Sequence, residues 1–133
     1  MRKLIGFLGL LVLLQLAGCA TTSPPPASAV AAIEYGVFPE NHEQIVKDYF
    51  AKSLPEPATA QYRMEKPFAG YLVGGPVLRG KVHVAGYFVE LRLTAKDRTG
   101  TPRPERHLAL LIFNGEVLME LTPSELANVK RAP

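Results

Sequence analysis

Few side chains in this 133-residue sequence could carry out chemistry. Cys19 is the only cysteine, and its thiolate would be a strong nucleophile. After residue 32, serine occurs only at Ser53 and Ser124, and neither lies in a Gly-x-Ser-x-Gly motif. The three histidines lack the spacing of metal ligands: His42, His83 and His107. The sequence therefore predicts no enzyme, no metal and no cofactor, and it leaves the role of Cys19 to be explained.

The residues around Cys19 have the layout of an export signal. Arg2 and Lys3 give a positive start, Leu4 to Leu16 is almost uninterrupted aliphatic sequence, and the small residues Ala17-Gly18 lead directly to Cys19. A signal peptide has this order of charge, apolar stretch and small residues before its cleavage point. We therefore expect cleavage immediately before the cysteine.

The run Leu16-Ala17-Gly18-Cys19 resembles the lipobox of bacterial lipoproteins. The resemblance implies diacylglycerol transfer to the Cys19 sulfur, removal of a signal peptide of residues 1–18, and acylation of the new amino terminus, so that the chain is held on a membrane by lipid. The alternative is an ordinary signal peptide or a transmembrane anchor with an incidental cysteine. The apolar stretch is short for a span, which needs roughly 18 residues or more.

The residues after the cysteine indicate sorting and a tether. Ala20 stands where enterobacterial lipoproteins carry Asp when they stay in the inner membrane, so the resemblance implies the outer membrane, facing the periplasm. Residues 19–32 then read as a lipidated cysteine and a tether rich in Pro, Ser, Thr and Ala. Pro24-Pro25-Pro26 favours an extended polyproline conformation, and the stretch from Ala20 to Ala32 could reach up to ~40 Å.

Residues 33–133 are expected to form one periplasmic domain that begins with a helix. Asn41 can cap the helix, Gln44 stands in the reciprocal capping-box position, and Pro55 and Pro57 stop it. Its apolar residues fall on one face at helical spacing, which predicts packing on a sheet. Those residues are Ile45, Val46, Tyr49, Phe50 and Leu54.

Strands are predicted over the rest of the domain: Ala60 to Met64, Ala69 to Val73 and Lys81 to Ala95. The last of these changes its apolar parity at Gly86, which indicates a β-bulge. Two further apolar runs, His107 to Phe113 and Glu116 to Leu121, flank Asn114-Gly115, the strongest short-range signal for a hairpin.

The end of the sequence predicts a short helix. Thr122 and Glu125 form a capping box with Pro123 in the first turn, and the helix should run to about Lys130. The resulting fold class is α+β: an N-terminal amphipathic helix packed on a small antiparallel sheet, with an Asn-Gly hairpin and a short C-terminal helix.

Three runs of the domain look like a group of small uncharacterised lipoproteins of Gram-negative bacteria. They are Tyr35-Gly36-Val37-Phe38-Pro39-Glu40-Asn41, Ile45-Val46-Lys47-Asp48-Tyr49, and Leu54-Pro55-Glu56-Pro57-Ala58-Thr59-Ala60-Gln61-Tyr62-Arg63. The likeness implies a periplasmic location and a compact domain. It implies no substrate.

Charge is balanced overall and uneven along the chain. Without Arg2 and Lys3 there are 13 basic and 12 acidic residues, which argues against a nucleic-acid partner. From Arg63 to Arg106, nine basic residues face four acidic ones. The basic residues that could contact an anionic partner are Arg79, Lys81, Lys96, Arg98 and Arg103. Lipid headgroups, lipopolysaccharide, peptidoglycan carboxylates or an acidic protein would fit, and an ordinary solvated surface is the alternative.

These features favour a non-catalytic, membrane-anchored module that binds or supports another envelope component. An accessory subunit of a secretion or assembly complex is the alternative, and it would differ in having a fixed protein partner. A cell-wall enzyme is a third possibility, which the missing catalytic constellation argues against.

Overall fold

The computed structural model describes residues 25–74 and 81–133. Within them, the helices are α1 (Ala27–Ala31), α2 (His42–Ala51) and α3 (Pro123–Leu126), with a 3-10 turn at Pro57–Thr59. The strands are β1 (Gln61–Met64), β2 (Phe68–Val73), β3 (Val82–Thr94), β4 (Arg106–Phe113), β5 (Glu116–Leu121) and β6 (Lys130–Arg131). All pair antiparallel in one sheet of order β5-β4-β3-β2-β6, and β1 pairs with β3. The mixed α+β class predicted from the sequence is confirmed.

The long strand β3 is the centre of the sheet, because β1 and β2 pair one after the other along the same edge of it. Its side chains are buried on both faces. Val89, Leu91 and Leu93 pack with α2 on one face, whereas Val84 and Phe88 belong to the cluster on the other face with α3. A strand covered on both faces is apolar at both parities.

This double burial explains the parity change that suggested a bulge at Gly86, and that prediction is wrong. Gly86 pairs regularly with Gly70, and the irregularity of this ladder lies between Leu72 and Val73 instead. A Cβ at Gly86 would lie 2.7 Å from the carbonyl oxygen of Ile112, so the glycine is needed for close approach of two strands.

Helix α2 packs its apolar face on the sheet, with Val46 and Phe50 fully buried. It begins directly after Asn41, but the predicted capping box does not form. The Asn41 side chain makes no capping hydrogen bond, because its backbone (φ −99°, ψ 31°) is not in the extended conformation that a capping side chain needs. Gln44 instead donates a hydrogen bond of 2.7 Å to Asp48.

The hairpin and the second capping box form as predicted. Asn114 and Gly115 have φ of +49° and +83°, and they connect β4 directly to β5. The Thr122 hydroxyl accepts a hydrogen bond from the Glu125 amide, and Glu125 accepts one of 2.7 Å from the Thr122 amide. The Thr122 hydroxyl also donates a hydrogen bond of 2.8 Å to the same Glu125 carboxylate. The bond from the Thr122 amide lowers the pKa of Glu125 most, and the bond from the Thr122 hydroxyl lowers it further.

The C-terminal helix is shorter than predicted. It ends at Leu126, and the chain turns back so that β6 pairs with Gly70 and Tyr71 of β2. A Cβ at Gly70 would lie 2.9 Å from the Lys130 carbonyl oxygen, so the missing side chain makes room for this strand. The Arg131 guanidinium stacks 3.7 Å from the Phe68 ring centroid and helps to hold the strand in place.

The segment before α2 lies against the hairpin. The Val37 amide donates a hydrogen bond of 3.0 Å to the Asn114 side chain, and the Phe38 ring meets Tyr87 edge-on at 5.3 Å. Upstream, within the expected tether, Pro26 has an extended backbone (φ −62°, ψ 148°) and Ala27–Ala31 is helical. Cys19 and Ala20 lie outside the described residues.

Candidate functional site

The loop between β3 and β4 continues the two strands as a narrow ladder. Lys96 and Pro102 form an isolated bridge, and the Arg103 amide donates a hydrogen bond of 2.8 Å to the Ala95 carbonyl. The Lys96 amide donates one of 2.9 Å to the Thr59 hydroxyl, which ties the loop to the 3-10 turn. The loop therefore holds a defined shape outside the main sheet.

The Asp97 carboxylate organises the tip of this loop. One of its oxygens accepts hydrogen bonds from the Thr99 hydroxyl (2.6 Å), the Thr99 amide (2.9 Å) and the Thr101 amide (3.0 Å). The bond from the Thr99 hydroxyl lowers the pKa of Asp97 most, followed by that from the Thr101 amide, and the positive charge of Arg103 adds to the effect. Asp97 is thus a structural residue of the loop.

Lys96, Arg98 and Arg103 are exposed around this tip. Within residues 25–74 and 81–133, none of the three lies within ion-pair distance of a carboxylate. Two other basic residues of the same stretch do form ion pairs: Arg92 with Glu105, at 3.4 Å, and Arg106 with Glu120. The loop therefore presents three positive charges that form no ion pair with the described residues, although Arg103 is close enough to Asp97 to lower its pKa. We name it the basic loop, residues 95–105.

The structure divides the basic residues predicted from the sequence. Lys96, Arg98 and Arg103 come together on the basic loop, but Lys81 lies just before the start of β3. The 13 residues of β3 separate Lys81 from the loop by about 40 Å at roughly 3.3 Å per residue. Lys81 is exposed and belongs to the opposite end of the sheet, and Arg79 lies outside the described residues.

A cleft beside the basic loop was not predicted. It has a volume of about 240 Å³ and is lined by Leu54, Leu93, Ala95, Arg103, Pro104 and Arg106. Both arginines are exposed, but the Arg106 guanidinium lies 5.6 Å from the Phe50 ring centroid and pairs with Glu120, whereas Arg103 forms no ion pair with the described residues. An apolar floor beneath two guanidinium groups suits a carboxylate that carries a small apolar group. The lining comes from three separate segments, which no local pattern reveals.

A second concave surface holds the only described histidine–carboxylate pair. His107 Nε2 lies 2.7 Å from Glu90 Oε1, in a cleft of about 300 Å³ whose other lining residues are Arg63, Glu65, Leu91 and Arg92. Among the described residues, no serine hydroxyl forms a hydrogen bond with either member of this pair. The Ser53 hydroxyl donates to the Phe50 carbonyl, and that of Ser124 lies 3.0 Å from the Thr122 hydroxyl. The pair reads as a diagonal contact between strands β3 and β4.

The described part of the chain contains neither a candidate metal site nor a helix suited to crossing a membrane. No three His, Cys, Asp or Glu residues there are grouped so that they could hold a metal ion. No helix in residues 25–74 and 81–133 has the length and apolar character that crossing a membrane requires.

No protein-family model matches the chain, and comparisons with curated proteins and with solved structures also found no match. A further cleft of about 380 Å³ sets Lys52 against Asp48 and Glu116, so it has no excess of positive charge. Of the two clefts described above, the one beside the basic loop combines unpaired positive charge with an apolar floor. The other mixes Arg63 and Arg92 with Glu65 and Glu90, so its charges largely balance. The basic loop and its cleft are the stronger candidate site.

Proposed function

We propose that this chain is a lipid-anchored lipoprotein of the outer membrane that faces the periplasm and binds an anionic envelope component without catalysis. The resemblance of Leu16-Ala17-Gly18-Cys19 to a lipobox supports the anchor, and Ala20 supports the outer membrane. In the mature protein, residues 33–133 would be the folded unit, α2 would be its N-terminal amphipathic helix, and residues 19–32 would be the tether.

The observation that carries the binding proposal is the exposure of three basic side chains that form no ion pair with the described residues: Lys96, Arg98 and Arg103. They are exposed on an ordered loop, and no carboxylate of the described residues pairs with them. Exposed charges contribute typically less than ~1 kcal/mol each to folding. Charges of one sign add up in attracting a partner of the opposite sign, and this attraction weakens as salt screens beyond about 8–10 Å.

The test is a variant with Lys96→Ser, Arg98→Ser and Arg103→Ser. It should unfold at the same temperature as the parent but lose most of its binding to anionic vesicles or cell-wall sacculi in a sedimentation assay. The difference should shrink at high salt, since the contact is electrostatic.

The matched control changes the same amount of charge elsewhere. Lys47, Lys52 and Lys66 are also exposed lysines, on α2, just after it, and between β1 and β2. Replacing these three with serine should leave binding close to that of the parent. If the control variant loses as much binding as the loop variant, net charge governs the association and the proposed site is wrong.

A further inference from the structure

The tether joins the domain at one end of the sheet, and the basic loop lies at the other. Val37 is bonded to Asn114 in the hairpin that follows β4, whereas the basic loop precedes β4. The eight residues of β4 separate these two ends by about 23 Å at roughly 3.3 Å per residue. In a protein anchored through its amino-terminal tether, the hairpin end would therefore be the end attached to the membrane, and the basic loop would be the end farther along the chain's sheet from the anchor.

The cleft at this far end favours a particular kind of anion. Arg103 can offer its planar fork to a carboxylate at the rim, and Arg106 is already oriented by Glu120 and Phe50. The floor of Leu54 and Ala95 is apolar and suits methyl groups. The volume of about 240 Å³ is smaller than the roughly 300–1,000 Å³ of sites for drug-sized ligands, so the cleft suits only the end of a short peptide.

We infer that the anionic partner is peptidoglycan, with a carboxylate of an alanine-containing stem peptide held at Arg103 above the apolar floor of the cleft. This inference rests on the proposed function, because the direction of the loop depends on an anchor at Cys19. The cell wall is the carboxylate-bearing polymer on the side away from an outer-membrane anchor. A phospholipid surface offers phosphate beside the anchor instead.

The first experiment measures sedimentation of the lipidated full-length mature chain, in mild detergent, with purified sacculi. Amidation of the sacculus carboxyl groups should reduce binding about tenfold, because the charge-assisted bonds of the arginines are lost. Arg103→Lys should bind about fivefold less than the parent, since lysine keeps the positive charge but lacks the two parallel N–H donors with which a guanidinium binds a carboxylate. Arg63→Lys, the matched control at an exposed arginine of β1 outside the basic loop and its cleft, should bind like the parent.

Three results would overturn the inference. Equal binding to amidated and untreated sacculi would exclude carboxylates. An unchanged Arg103→Lys variant would remove the cleft from the contact. Binding to vesicles of anionic phospholipid with no binding to sacculi would make a membrane the partner, and the proposed anion-binding function would survive while the inference failed.

The second experiment tests the direction of the loop. A fluorophore is attached to a new cysteine at Gln61, which pairs with Thr94 near the basic loop, or at Glu116, next to the hairpin. Lipid on Cys19 blocks its thiol, so each label is unique. In vesicles with brominated lipid, the Glu116→Cys label should be quenched more strongly than the Gln61→Cys label. Equal or reversed quenching would refute the inferred direction, and failure of either chain to attach to vesicles would refute the anchor itself.

Discussion

Replacing Gly115 with valine would measure the cost of one backbone angle in the hairpin. Gly115 has φ of +83°, and a Cβ built there meets no atom within 4 Å. The substitution therefore introduces no clash, and its cost is conformational. A residue with a Cβ loses about 1–2 kcal/mol in the left-handed region. A β-branched side chain resists this region more, so we expect a loss of about 1–3 kcal/mol in the free energy of unfolding.

Urea unfolding of the mature chain carrying Cys19→Ser would show this loss. With a denaturant slope of about 1–1.5 kcal/mol per molar urea, a loss of ~2 kcal/mol lowers the midpoint by roughly 1–2 M. Gly115→Asn is the control, because asparagine tolerates positive φ, and it should cost clearly less than valine. A valine variant with the parent's midpoint, or an asparagine variant as unstable as valine, would show that this angle does not limit the stability of the hairpin.

Two other predictions concern the anchor and the basic loop. Cys19→Ser should abolish incorporation of an alkynyl fatty acid into the protein in cells, and unchanged labelling would disprove lipidation at Cys19. The pKa of Asp97 is lowered in the folded protein, because its ionised carboxylate accepts the hydrogen bonds of the loop tip. These bonds should be fully formed above the ordinary aspartate pKa of about 3.9, and they should be lost as pH falls through the lower pKa of the folded state. A pH titration of the Thr99 and Thr101 amide chemical shifts would report the loss of these bonds. A titration midpoint at or above the ordinary aspartate pKa would contradict the hydrogen-bonded geometry.

The features that the sequence predicted well are those with local causes. The Asn114-Gly115 turn needs positive φ at two adjacent residues, and these residue types adopt it. The capping box of Thr122 and Glu125 requires residues only three positions apart. Neither depends on distant parts of the chain, so composition and spacing were sufficient.

One local prediction failed, since the backbone at Asn41 is not extended and its capping box with Gln44 does not form. The other differences occur where distant segments decide the structure. Gly86 looked like a bulge because β3 changes apolar parity, but the cause is that α2 covers one face and α3 the other. The final helix was extended through Lys130, although β6 forms there because it can pair with Gly70 of β2. Strand β6 is only two residues long and pairs with a strand some sixty residues earlier, so it leaves no periodic pattern in the sequence.

The candidate site depends partly on local sequence and partly on contacts between distant segments. The charges of Lys96, Arg98 and Arg103 are visible in the sequence, but their separation from Lys81 follows from the length of β3. The cleft also depends on Leu54, which follows α2 and lies more than forty residues before the basic loop in sequence, so that only the folded structure brings the two together. The Thr59 hydroxyl binds the Lys96 amide from the same segment, so the turn after α2 supports the cleft floor and the loop together. Positioning of the basic side chains is therefore coupled to the packing of α2, and charge alone could not have predicted the cleft.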